Sequence, residues 1–190
     1  MRAFVFAEIL QATNFDSKKK GMIELATIAD AKQIEQLLNS AYRGESSRKG
    51  WTTEADLIAG DRRTDEASVV GVMNQPGSVI LKYTNELGAV VGTVNLQKHG
   101  NRLYLGMFSV SPTEQGSGIG KQLLKAAEDH AQKVQCSSIY MSVISVRKEL
   151  IDWYKRNGYV DTGERKPFVE DDLTGKHLQP LEFLTLEKFI

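Results

Sequence analysis

The sequence predicts an α/β fold in which a mixed, mostly antiparallel central sheet is flanked by helices. Three observations carry this. The strand-like runs "SVILKYT", "GAVVGTVNL" and "RLYLGMFSV" follow one another with only "NELG" and "KHGN" between them, lengths that suit hairpin turns and an antiparallel meander. After Val110 the apolar period changes, and Ile119, Leu123, Leu124, Ala127, Ala131 and Val134 mark one face of a long helix. The next strand, "SIYMSVIS", is joined to the meander by that helix, and such a crossover makes the pair parallel.

The remaining elements follow in chain order. "MRAFVFAEIL" is broken by Glu8, carries no small-residue cleavage pattern and is too short to span a bilayer. With the basic run "DSKKKG" it forms an expected extension over residues 1–21, and the domain proper is expected over 22–190. In "ADAKQIEQLLNSAYRG", Ile34, Leu37, Leu38 and Ala41 recur at helical spacing, Asp30 and Gln33 read as a cap and its reciprocal partner, and Gly44 reads as a stop. "TTEADLIAG" places Thr53 and Asp56 in a capping-box relation, and "DEASVVGVMNQ" reads as a short helix. "RKELIDWYKRNG" is a helix stopped by Gly158, and "LEFLTLEKF" a terminal strand.

Composition narrows the function. The 190 residues fit one domain of ordinary size, with 41% hydrophobic residues for a core. Lys+Arg and Asp+Glu are equal at 24 each, so no net field draws the chain to nucleic acid or an anionic membrane, and neither is expected as a partner. Cys136 is the only cysteine, which fits a reducing cytoplasm. His99, His130 and His177 lie far apart without ligand spacing, so no metal is expected. Whether the chain forms a homodimer is left open.

The segment "EQGSGIGKQLLKAA" sets alternate glycines ahead of a helix. It is not a nucleotide P-loop: Gln115 stands where that motif's first glycine belongs, and Gln122 replaces its magnesium-binding hydroxyl. Neither register of a dinucleotide G-x-G-x-x-G fits, since Lys121 and Leu123 occupy the third glycine positions. What fits is Q-x-x-G-x-G, Gln115 to Gly120, between a strand and a helix. Residues without Cβ let backbone approach a ligand, and the unpaired N–H groups of a helix start favour an anion such as a pyrophosphate. A glycine-rich turn that merely relieves crowding is the competing explanation.

"LYLGMFSVSPTEQGSGIGKQLLKAAEDHA" followed by "SIYMSVISVRKELIDWYKRNGY" resembles the two central motifs of the GNAT superfamily of acetyl-CoA-dependent N-acetyltransferases. The resemblance runs in order from about Ile23 to the end, with its specific part from Leu103 to Tyr159. It implies a sheet splayed between its fourth and fifth strands, with acetyl-CoA as acyl donor in the cleft and an amine, on a small molecule or a peptide, as acceptor. It further implies that the backbone of Phe108 and Val110 pairs with the pantetheine arm, and that the N–H groups of Gln115, Gly116, Ser117, Gly118, Ile119, Gly120 and Lys121 hold the pyrophosphate. Gly106 would mark the bulge that starts the splay, or only a close-packed strand position.

Acetyl transfer to an amine needs a neutral nitrogen, a polarised thioester and a proton for the departing thiolate. Tyr154 matches the tyrosine the family usually places beside the thioester sulfur as general acid, although a tyrosine there also suits simple packing on the sheet. Two departures stand out. Arg147 occupies the position, seven residues before this tyrosine, where many relatives carry an asparagine, so it is a candidate cofactor contact of altered kind or a solvated helix-start residue. The fourth strand lacks the acidic residue often used as base and offers Tyr104, Gly106 and Ser109. In "AYRGESSRKGWTTEADL", Tyr42, Arg48 and Trp51 are candidates for the acceptor wall, and Glu54 for a base acting through water or, equally, a first-turn helix residue. The alternative to catalysis is an acyl-CoA-binding regulatory module with little or no turnover.

Overall fold

A computed structural model describes residues 21–170, 173 and 175–190. The expected extension over 1–21 therefore lies outside the described residues, Gly21 excepted. Among those described, seven strands form one sheet in the order β1-β2-β3-β4-β5-β7-β6. The meander predicted from the hairpin-length turns is β2 (Ser78–Thr84), β3 (Val90–His99) and β4 (Arg102–Val110). Strand β1 (Met22–Leu25) extends it, pairing antiparallel with β2 so that Met22 lies opposite Thr84. Between β1 and β2 come α1 (Ala31–Tyr42), the single turn α2 (Gly44–Ser47) and α3 (Glu66–Met73). The crossover helix α4 (Ile119–Lys133) leads to β5 (Ser138–Ile144), which is parallel to β4. Helix α5 (Lys148–Arg156), β6 (Val160–Pro167) and β7 (Glu182–Phe189) complete the chain, with β7 antiparallel to both β5 and β6.

The alternation of side chains along the meander strands feeds two of the three hydrophobic clusters formed by the described residues. In β2, Ile80 packs on one face with Ala31, Ile34, Leu38 and Ala41 of α1 and Val69 of α3. The adjacent Leu81 belongs to the other core, where Leu123, Leu124, Ala127 and Ala131 of α4 meet Val94, Leu96, Leu103 and Leu105. The apolar stripe read from the sequence of α4 is thus the stripe that is buried.

Local corrections have simple causes. A 3-10 turn over Ile28–Asp30 precedes α1, so the capping box is formed by Thr27 and Asp30 instead of Asp30 and Gln33: the Thr27 N–H and hydroxyl approach Asp30 Oδ2 at 2.7 and 3.0 Å. Lys82 Nζ, 2.7 Å from Asp30 Oδ1, completes that carboxylate's shell. No helix forms after Thr53. Its hydroxyl is 2.6 Å from that of Ser47, and the Asp56 carboxylate turns back to Arg48. Helix α3 keeps its predicted start because Asp65 Oδ1 accepts the Ser68 N–H at 2.8 Å.

Candidate functional site

Strand β4 leaves its parallel neighbour early. Only Arg102, Leu103 and Tyr104 pair with β5, opposite Ser138, Ile139 and Tyr140, while β5 stays paired with β7 from Ser138 to Ile144. The sheet splays from Leu105 onward. On the other side of β4 the register slips, with Thr93 opposite Ser109 but Asn95 opposite Gly106, so Met107 and Phe108 share a single partner position. The left-handed backbone of this bulge falls on Met107, at φ 44°, and not on Gly106. Gly106 serves close packing instead, since a Cβ there would lie 2.8 Å from the Tyr104 ring.

Into the splay points the start of α4. Gly116 and Gly118 have φ of 87° and 88°, with Gly118 at the helix N-cap, and added Cβ atoms at either would meet nothing within 4 Å. A Cβ on Gly120 would come within 3.5 Å of Trp153 and 3.6 Å of Phe108. These glycines border a cleft of about 300 Å³, also lined by Trp51, Val110, Gln115, Lys121 and Trp153. The Gln115 side chain is a staple across it. It accepts the Trp51 N–H at 2.9 Å and donates to the Thr52 hydroxyl at 2.8 Å and the Val110 carbonyl at 3.1 Å. Ile119 also borders the cleft but sends its side chain into the α4 core. Ser117 is not part of the lining, and its hydroxyl bonds the Glu114 carbonyl at 2.5 Å. The Phe108 carbonyl is occupied, because the Tyr42 hydroxyl donates to it.

A second cavity of about 440 Å³ opens on the far side of Tyr42 and Tyr154. Its dominant feature is a charge cluster. Glu54, 4% exposed, sits among three arginines: Arg43 and Arg63 hold Oε2, the latter at 2.6 Å, and Arg147 reaches Oε1 at 3.1 Å. Burial alone would raise the Glu54 carboxyl, but Arg63, Arg147 and Arg43 outweigh it and hold the group below its ordinary value. Arg147 also donates to the Thr52 carbonyl at 2.7 Å, so it ties β5's exit to the loop over the cofactor-side cleft. The Arg63 guanidinium stacks 4.1 Å from the Tyr42 ring centre. The rim is closed by pairing of residues 57–59 with 176–178, through the Ala59 N–H to Lys176 and the Leu178 N–H to Leu57, both at 2.8 Å.

Tyr154 joins the two spaces. It lines both cavities, as do Tyr42, Phe108 and Leu150. Trp153 and Tyr159 pack edge-on against its ring at 5.1 and 5.6 Å between centroids. Burial, with the neighbouring Tyr42 phenol, pushes its pKa well above the ordinary phenol value.

Of the residues expected at the acceptor, Tyr42 and Glu54 line the larger cavity, while Trp51 borders the cofactor-side cleft with its ring 6.2 Å from that of Trp153. Arg48 lines neither, being paired on the surface with Glu45 and Asp56 at 3.0 and 2.8 Å. Arg147 lines the larger cavity rather than the glycine-bordered cleft. Sequence reading missed Arg43, Arg63 and Phe168, which complete the larger cavity. "DRRTDE" around Arg63 looks like an ordinary solvated charge run, and only the tertiary approach of Glu54 gives it a partner.

Comparison with known proteins agrees with this geometry. The family model "Acetyltransferase (GNAT) family" matches residues 31–159. A spermine/spermidine N(1)-acetyltransferase of Bacillus subtilis (strain 168) is 36% identical over 64 residues, a stretch covering 33% of this chain and only 42% of that protein. Among solved structures, the ribosomal-protein-S18-alanine N-acetyltransferase from Escherichia coli superposes with a TM-score of 0.66 at 14% identity, over 90% of this chain and 94% of that one. Ard1 from Thermoplasma volcanium gives 0.67 at 17% identity, over 90% and 97%.

Proposed function

The chain belongs to the GNAT acetyltransferase family and is an N-acetyltransferase, and from that premise we infer that it moves an acetyl group from acetyl-CoA to a free amine by direct attack on the thioester. The observation that carries this reading is the meeting of two cavities at Tyr154, one bordered by the glycine-rich helix start and the other by charge and aromatic rings.

The cofactor-side cleft suits a CoA group. A left-handed Gly116–Gly118 path with open space over both residues brings backbone N–H groups to the surface at the positive end of a 15-residue helix, which favours a pyrophosphate. Beyond Tyr104, β4 has no β5 partner, so an extended pantetheine chain can lie along it. The Phe108 carbonyl already accepts the Tyr42 hydroxyl on one of its two lone pairs, so a pairing with the chain there would share that oxygen. When bound, acetyl-CoA supplies the activated acetyl thioester; everything else is done by side chains.

Tyr154 stays protonated because its phenol is pushed up by burial, so it is present as a donor at every physiological pH. Its hydroxyl stabilises the departing thiolate by hydrogen bonding and delivers the proton as the carbon–sulfur bond breaks. Glu54 is assigned a positioning role instead of that of a base: both its oxygens are taken by guanidinium groups, and its depressed pKa makes it a poor proton acceptor. Deprotonation of the acceptor is assisted by a neighbouring charge. An ordinary alkylammonium has a pKa of about 10.4, and the half-buried Arg63 guanidinium in the cavity lining disfavours a second positive charge beside it and so favours the neutral amine, with water carrying the proton away.

The single cysteine fits a reducing cytoplasm as the place of action. The function is tested by incubating the chain with acetyl-CoA and a panel of polyamines, amino acids, aminoglycosides and peptides, and reading acetylated products by mass spectrometry. Acetylation of at least one amine, lost in Tyr154→Phe, is expected. Tight acetyl-CoA binding with no product from any amine would overturn the reading.

A further inference from the structure

We propose that Tyr42 is the residue that receives and orients the acceptor amine: its hydroxyl oxygen accepts a hydrogen bond from the amine N–H at the junction of the two cavities and so turns the nitrogen lone pair toward the thioester. The proposal rests on the N-acetyltransferase reading above and adds to it the group that the attacking nitrogen meets.

The junction is narrow in its chemistry. Among the described residues, Tyr42, Phe108, Leu150 and Tyr154 line both cavities, and of these only the two tyrosines bring polar side-chain atoms. An acyl donor held along the glycine-bordered cleft and an amine held in the larger cavity react where the two spaces meet. Tyr154 is assigned to the departing sulfur. The attacking amine directs its lone pair at the thioester carbon and its N–H bonds away from it, so it needs a hydrogen-bond acceptor behind the nitrogen. Tyr42 supplies one because of where its own proton goes. The hydroxyl donates to the Phe108 carbonyl, so its single proton is committed and the lone pairs of the same oxygen remain to accept.

The side chain is pinned at both ends. Tyr42 is the last residue of α1, and its main-chain carbonyl accepts the Glu54 N–H at 2.9 Å. The Arg63 guanidinium, itself held on Glu54 Oε2 at 2.6 Å, lies 4.1 Å from the ring centre, and the hydroxyl is tied to β4 at Phe108. The positioning role of Glu54 thereby gains an object, the ring that faces the amine. A pre-set acceptor adds little ordering cost when the amine arrives. As nitrogen gains positive charge during attack its N–H becomes a stronger donor, so the bond to Tyr42 tightens in the transition state. Burial raises the Tyr42 phenol above its ordinary pKa, so it acts as a neutral acceptor and not as a base, and the amine's surplus proton still leaves through water.

The test takes an amine from the panel that the native full chain acetylates and compares it with its desamino analogue, in which hydrogen replaces the amino group. Calorimetric titrations are made on the chain saturated with CoA, so that binding is read apart from turnover. The native chain is expected to bind the amine more tightly than the analogue. Tyr42→Phe keeps the ring under Arg63 and removes only the hydroxyl, and it should shrink that preference about 3- to 10-fold, the range for one hydrogen bond. It should also lower kcat for acetyl transfer by about 10-fold or more, since the bond strengthens as the amine attacks. A packing role would weaken both ligands alike and leave their ratio untouched. An unchanged ratio, an unchanged kcat, or a native chain that binds the two ligands equally overturns the proposal and leaves the activity standing. A native chain that acetylates no amine overturns the functional reading and the proposal with it.

Discussion

At the scale of single residues, the position that changed most between sequence and structure is Glu54. In the sequence it follows two threonines and reads as a first-turn residue or a base; only the fold shows Arg43, Arg63 and Arg147 converging on it from three separate segments. A positioning role makes different predictions from a basic one. Removing one partner of a buried ion cluster leaves uncompensated charge, so Glu54→Gln should cost about 3–5 kcal/mol of stability, read as a fall in the denaturant midpoint. Its folded pKa lies below the ordinary value of 4.5, so the carboxylate stabilises the native state at neutral pH, and that contribution is lost as pH falls from about 4.5 through the lower folded value. Acid titrations of stability should therefore show a steeper native loss below that pH than the Gln variant shows. Tyr154 was legible from its motif alone, and its environment sharpens the expectation. Tyr154→Phe keeps the ring between Trp153 and Tyr159 and removes the donor, so kcat should fall about 10²–10⁴-fold while CoA affinity by calorimetry barely moves. An unchanged kcat under conditions where chemistry limits the rate would reduce Tyr154 to a packing residue.

At the scale of elements, the strands and helices that bury an alternating or stripe-like apolar pattern were legible, because burial is what writes that pattern. Strands β2 to β5 and helices α1, α4 and α5 fall where periodicity places them. Strand β6 was not, and the reason is physical: Val160–Pro167 is exposed along its whole length at the sheet edge, so "VDTGERKP" carries no inward face to read. The bulge was expected at Gly106 and lies one residue further on, because its left-handed backbone falls on Met107, a residue type that gives no warning. The glycine segment was legible, and its geometry separates the effects of substitution at two of its positions. Gly118→Val puts a β-branched residue at φ 88° and should cost about 1–3 kcal/mol of strain in addition to CoA binding. Gly120 is free of that constraint and its Cβ would make ordinary contacts with Trp153 and Phe108. Gly120→Val should thus keep a near-native Tm and lose CoA affinity by filling the cleft; CoA binding at native strength in the folded variant would return the segment to a mere turn.

At the scale of the whole molecule, the function depends on one property of the sheet, that β4 and β5 part while each stays held by its outer neighbour. The cleft needs the meander on one side and the β5–β7–β6 unit on the other, with α4 and α5 supplying the groups between them. Strand β1 belongs to the outer edge of the meander, where Met22 to Leu25 pair with Thr84 to Leu81, far in topology from the β4–β5 gap. The first residue of that strand is the methionine at which the sequence begins to read as a domain. We therefore propose that residues 22–190 hold everything the fold and the cleft require. A chain starting at Met22 keeps all four β1 pairs and, among the described residues, all three hydrophobic clusters and every lining residue of the two cavities. Its Tm should lie within a few degrees of the full chain and its CoA affinity should be the same, because the buried residues and cleft-lining groups named above all lie at 22 or beyond. A loss of cooperativity in thermal unfolding, or a tenfold weaker CoA titration, would show that residues 1–21 contribute to the domain and that its start at Met22 is wrong.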